Sequence, residues 1–96
     1  MYARVSRAHV KPDKHAEMRD MISSLQAATH ELPDVRFWLS LLSDSGELTV
    51  IGAYPDKAAM DRTAHVNEAR WADAQHLLQD APTIIEGEII GFMTAG

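Results

Sequence analysis

Read for the spacing of its apolar positions, the chain falls into six segments. Residues 2–10 alternate loosely, with Ala3 and Val5 set against Arg4 and Ser6, which predicts a first strand. Pro12 suits the opening turn of a helix, and Asp13 and Glu17 lie near the positive end of its dipole. Met18, Met21, Ile22, Leu25, Ala28 and Leu32 then recur by threes and fours up to Pro33, predicting a helix over residues 12–31. Residues 35–42 and 47–54 are runs of strand formers separated by Ser43, Asp44, Ser45 and Gly46, the pattern of a hairpin. Gly46 is expected to take a positive φ, and Asp44 to bond its own backbone. Asp56 is the expected N-cap of a second helix over residues 57–79. At about 35 Å, that helix would be longer than crossing a strand requires, so a break is expected near His65 to Asn67. Pro82 precedes a last strand over residues 83–93, rich in isoleucine.

The order β-α-β-β-α-β predicts an α+β, ferredoxin-like fold: a four-stranded antiparallel sheet with two helices on one face. In the second strand Val35, Phe37, Leu39 and Leu41 share one parity while Trp38 and Leu42 take the other, so both faces of the sheet are apolar. With helices covering only one of them, the other predicts a homodimer in which two sheets pack together.

Composition narrows the chemistry. Ninety-six residues, 46% of them hydrophobic, suit a single domain spanning 1–96. Without cysteine there is no thiolate nucleophile, disulfide or cysteine metal site. Fourteen acidic residues against nine basic ones give a net charge of -5, and there is no basic patch interleaved with aromatics, so nucleic acid is not an expected partner. No apolar run is long enough to span a membrane or to serve as a signal segment, and a cytoplasmic location is expected. The five histidines lack the spacing of a metal site, so no metal is expected.

One helical stripe, Met60, Ala64, Asn67, Trp71, Ala74 and Leu78, contains a single polar member. Asn67 stands one turn from Trp71, where an indole can wall a pocket and an amide can hydrogen-bond its occupant. The plainer reading is that Asn67 caps a helix and Trp71 is core. Gly87 and Gly91 share one parity in the last strand, which marks a close approach by a helix or a ligand; with Asn67 and Trp71 they would bound one cavity. His65 and His9 are available as general bases, although a solvated surface histidine is the commoner case. Phe37 completes the set of substrate-binding candidates, with His65, His9, Gly87 and Gly91. Arg4, Arg7, Glu86 and Glu88 read as surface or interface charges.

These features resemble the dimeric α/β-barrel superfamily and, within it, the antibiotic biosynthesis monooxygenase-like group. The resemblance runs through Val10-Lys11-Pro12-Asp13-Lys14, Leu32-Pro33-Asp34-Val35, Tyr54-Pro55-Asp56-Lys57-Ala58-Ala59 and the Asn67-x-x-x-Trp71 spacing. It implies a cofactor-free oxygenase that oxidises a small aromatic, phenolic or quinol compound with O2 as co-substrate, with Asn67 and Trp71 as the catalytic pair and no flavin, haem or metal. The last strand lacks the arginine of some relatives, and Ala81 or Pro82 stands where haem-degrading relatives carry a histidine. A non-catalytic ligand-binding or stress-related barrel and a non-oxidative isomerase on the same scaffold are the alternatives, because a fold does not fix a reaction.

Overall fold

The computed structural model describes residues 1–95. Its strands are β1 (Tyr2–His9), β2 (Phe37–Leu42), β3 (Glu47–Tyr54) and β4 (Thr83–Glu88), and its helices are α1 (His15–Ala27), α2 (Lys57–Arg62) and α3 (Ala64–Ala74). The strands form one antiparallel sheet in the order β2-β3-β1-β4, so the ferredoxin-like expectation holds. No described helix is long and apolar enough to cross a membrane.

The register divides the sheet into two faces. On the face towards the helices, Trp38, Gly52, Arg4 and Glu86 form one row across all four strands, and Leu42, Leu48 and Ala8 form another. The opposite face carries the row Leu39, Ile51, Val5 and Ile85 beside the row Phe37, Ala53, Ala3 and Gly87. The main core lies on the helix side, where Ala8, Val10, Met18, Leu48, Ala74, Leu77 and Leu78 pack together.

The ends of the elements depart from simple periodicity for local reasons. Pro12–Lys14 forms a 3-10 turn, so α1 begins at His15, one turn later than expected, and a second 3-10 turn, Thr29–Glu31, carries the chain past Ala28 towards Pro33. In the hairpin Gly46 has φ +91°, as its position requires, and a Cβ there would stand 3.0 Å from the Val10 carbonyl. The side chain that braces the turn is Ser43, not Asp44: the Ser43 hydroxyl accepts from the Glu47 N–H at 2.9 Å. Asp56 caps α2 by accepting from the Ala59 N–H at 2.8 Å.

The second helix breaks at Thr63, ahead of the expected place. Here the Met60 carbonyl accepts from the Thr63 N–H at 3.0 Å, the Thr63 hydroxyl at 2.7 Å and Arg4 Nη2 at 3.2 Å. A carbonyl held by three donors is no longer free to continue the i to i+4 ladder, and α3 restarts with the Asn67 N–H on the Thr63 carbonyl at 3.0 Å. β4 stops at Glu88 rather than residue 93 because its neighbour begins at Tyr2, which leaves only Met1 to accept from the Ile89 N–H at 2.8 Å. The chain then turns so that Phe92 stacks on Phe37, ring centroids 5.4 Å apart and planes 13° from parallel.

Candidate active site

Between α1, α3 and the sheet lies a partly open cleft. Its floor is formed by Arg4, Ser6, Trp38, Leu48, Val50, Gly52 and Tyr54, its roof by Met18, Met21, Ile22 and Leu25 of α1 with Leu32, and its side wall by Asn67, Arg70, Trp71 and Ala74 of α3. Its free volume is about 50 Å³. Ligand cavities usually offer about 300–1,000 Å³. The cleft as it stands has room for a few water molecules.

Asn67 occupies the fourth position of α3, past its N-terminal residues, so it is not the cap; Thr63 stands there. The Asn67 side chain lines the cleft half-buried, and its amide makes no hydrogen bond with any described residue. Trp71, one turn further on, packs its indole against the main core while also lining the cleft. The pair therefore share one wall, at the separation of about 6 Å that an i, i+4 spacing gives.

The remaining candidates lie elsewhere. Gly87 pairs with Ala3 on the face turned away from the helices, Gly91 lies beyond the end of β4, and neither has an atom within 4 Å of where a Cβ would stand. Gly87 shares its parity with Ile85, and the register turns that parity to the outer face. The sheet glycine that does border the cleft is Gly52, where a Cβ would stand 3.2 Å from the Tyr54 hydroxyl. Its absence lets the Tyr54 ring lie back across the strand. Phe37 also faces outward and is covered by Phe92. His65 is exposed on α3 and does not line the cleft. His9 lies on the surface at the far end of β1, where Asp80 accepts from its backbone N–H at 3.2 Å and meets its Nδ1 at 3.2 Å. These two bonds hold the exposed Asp80 carboxyl below its ordinary pKa.

Arg4, read from sequence as a surface charge, is 6% exposed. Its Nε donates to Glu86 at 2.8 Å, its Nη1 to the Thr63 hydroxyl at 3.2 Å and its Nη2 to the Met60 carbonyl at 3.2 Å. It belongs to the floor of the cleft and clamps β1 and β4 to the junction of α2 and α3. The signal in the sequence was its parity with Ser6 and Ala8. That parity places it inward, but the partners that make burial tolerable lie far along the chain. Arg70, which sequence reasoning passed over between Asn67 and Trp71, is the second cation of the wall.

No family model and no curated protein matches the sequence. Solved structures do match the fold. A protein of unknown function from Nitrosomonas europaea, NE2512, is 25% identical with a TM-score of 0.79, over 99% of this chain and 94% of its own. Rv0793 from Mycobacterium tuberculosis is 20% identical with a TM-score of 0.77, over 97% of this chain and 98% of its own. A structure named antibiotic biosynthesis monooxygenase is 16% identical with a TM-score of 0.77, over 95% of this chain and 100% of its own. The chain has the antibiotic biosynthesis monooxygenase fold. In this chain the cleft lies between sheet and helices, and α3 turns Asn67, Arg70 and Trp71 towards it.

Proposed function

We propose that the protein is a cofactor-independent monooxygenase acting on a small aromatic compound of phenolic, anthrone or quinol type. The observation that carries this reading is the Asn67 amide, held beside Trp71 on the wall of the cleft with its hydrogen-bonding groups left open by the described residues. A solved structure of the same fold bearing the name antibiotic biosynthesis monooxygenase adds support.

In the proposed reaction, written for the keto form that an anthrone adopts and that a phenol or quinol reaches as a tautomer, a ring CH2 loses a proton to water, and its electron pair delocalises through the ring onto the conjugated carbonyl oxygen as an enolate. Asn67 donates its amide N–H to that oxygen and stabilises the charge as it develops. One electron passes to O2, the resulting radical pair joins as a carbon-bound peroxide, and the O–O bond breaks as the second C–H proton leaves. One oxygen atom stays as the new carbonyl and the other departs in water, so CH2 and O2 become C=O and H2O. No flavin, haem or metal takes part. Trp71 holds the ring by its indole face.

The roof suits such a role in a cleft this small. Met18 and Met21 are unbranched and adaptable, so their movement can admit a ring that the free volume does not. A second reading, a non-catalytic binder of a compact ligand, is supported by the same Asn67 and Trp71 wall. We further propose that a second copy of the chain covers the outer face of the sheet, where Leu41 is 58% and Ile85 67% exposed.

Oxygen uptake with an anthrone or quinol and no added cofactor tests the enzyme. Asn67→Ala should lower the rate by about a hundredfold, as the loss of a single oxyanion donor does. Equal rates in wild type and variant remove the assignment, and thermal stabilisation by a ligand without turnover selects the binder.

A further inference from the structure

The cleft is lined by two guanidinium groups, Arg4 in the floor and Arg70 in the wall, and by no carboxylate among the described residues. The two are not equivalent. Arg4 directs its donors to Glu86, Thr63 and Met60, with the Glu86 carboxylate oxygen 2.8 Å away. Arg70 is placed otherwise. Its Nη2 reaches the Ala28 carbonyl only at 3.4 Å, and the nearest carboxylate oxygen, on Glu31, is 4.0 Å away. Its Nε is sealed from solvent and has no acceptor among the described residues, while the side chain as a whole is 13% exposed.

A buried donor without an acceptor costs about 1–3 kcal/mol, and more when it belongs to a charged group. The arrangement is therefore unfavourable unless something in the cleft supplies the acceptor. A water molecule could satisfy the N–H but not the charge. With the nearest carboxylate at the limit of ion pairing and the surroundings largely apolar, the positive potential at this wall favours an anion. Asn67, Arg70 and Trp71 all line this wall, so one flat ring could meet all three.

We propose that Arg70 is the anion anchor of the cleft. Its guanidinium, opened further to the cleft as the roof methionines move aside for the ring, donates to a negatively charged oxygen, an ionised hydroxyl or a carboxylate, carried by an aromatic ring that lies against Trp71. This rests on the aromatic-ligand reading above and adds the ligand's charge. It also gives that reading a consequence: a phenol held here ionises more readily, which prepares it for loss of an electron to O2.

Binding of three probes, followed by quenching of the cleft tryptophans, tests the assignment. The probes are 4-nitrophenol, 4-nitrobenzoate and the neutral 4-nitrotoluene. For the phenol, the visible band of its ionised form also reports which protonation state is bound as the pH is varied. Wild type should bind at least one of the two anions about tenfold or more tightly than the neutral compound, the gain expected of a charge-assisted hydrogen bond. A preference for the phenolate identifies an ionised hydroxyl as the natural group, and a preference for nitrobenzoate identifies a carboxylate. Arg70→Gln should abolish the preference while leaving nitrotoluene affinity within about twofold, and Arg70→Lys should restore part of it. If Arg70→Gln does not fold, the anion preference of the wild type decides. Equal affinity for anion and neutral probe, or a preference that survives Arg70→Gln, overturns the anchor and leaves the oxygenase reading standing. Failure of all three probes to bind overturns both.

Discussion

The two faces of the sheet each keep some residues on the side where they are least expected. The face covered by helices holds Arg4 and Ser6 at 6% and 1% exposure, while the face without helices presents Leu39, Leu41 and Ile85 to solvent. Successive residues of one strand supply both, Arg4 and Ser6 inward with Ala3 and Val5 outward, so neither distribution follows from local propensity. A polar group kept inside must be bonded or reserved for a ligand, and an apolar group kept outside must find a partner surface. The inner face is thus where a ligand is proposed, and the outer face where a second copy is proposed.

The sharpest way to break this comparison is to remove the same amount of hydrocarbon from each face. Leu48 on the inner face is 2% exposed, and Leu48→Ala should destabilise the protein by about 3 kcal/mol through lost transfer energy and the cavity left behind. Ile85 on the outer face is 67% exposed, and in dilute monomer Ile85→Ala should cost about 0.5 kcal/mol or less. Urea unfolding of the two variants measures the difference, and similar losses would mean that the outer face is packed in solution even at low concentration.

A charge on the outer face addresses that point directly. Ile85 sits at the β4 end of the row that runs through Val5 and Ile51 to Leu39. If two copies meet there, symmetry places the substitution in the interface twice, and Ile85→Glu should weaken association by about a hundredfold or more. Sedimentation should then show a dimer for wild type and a monomer for the variant. A wild type that remains monomeric at high concentration removes the assembly.

Arg4 gives a smaller effect than its burial suggests. Once Arg4→Met is made, the Met60 carbonyl keeps both Thr63 donors, and Glu86, with 42% of its side chain exposed, regains water. No buried partner is stranded, so the expected loss is about 1 kcal/mol rather than the several that a broken, fully buried pair costs. A loss above about 3 kcal/mol in urea would show that the clamp on the helix junction, not the hydrogen bonds alone, had been holding α2 and α3 in place.

The strands and the roof helix were legible because each depends on a period within its own segment. The alternation that set Trp38 and Leu42 against Phe37, Leu39 and Leu41 fixed the faces of β2, and the threes and fours through Met18, Met21, Ile22 and Leu25 fixed the roof of the cleft. What escaped depends on residues distant in sequence. Thr63 ends a helix because Arg4, 59 residues earlier, joins it at the Met60 carbonyl. Gly52 rather than Gly87 or Gly91 borders the cleft because strand order and register, not glycine content, decide which face looks at the helices. Asn67 and Trp71 were found through their spacing, whereas Arg70 between them drew no notice because an arginine on an amphipathic helix is ordinarily solvated.

The smallest effect lies at the surface end of β1, where His9 holds Asp80. Because those bonds lower the folded-state pKa of Asp80 below its ordinary value, the contribution is present at neutral pH. It is lost as the pH falls from the unfolded-state value through the depressed folded-state value, where the carboxyl takes up its proton in both states. Asp80→Asn should therefore lower the urea midpoint slightly at neutral pH and leave it equal to wild type once the acid side of that window is reached. Both ends of the contact are exposed, so salt should shrink the difference as well. A difference that persists unchanged into acid would mean that Asp80 acts through its shape at the turn before β4, with no part played by its charge.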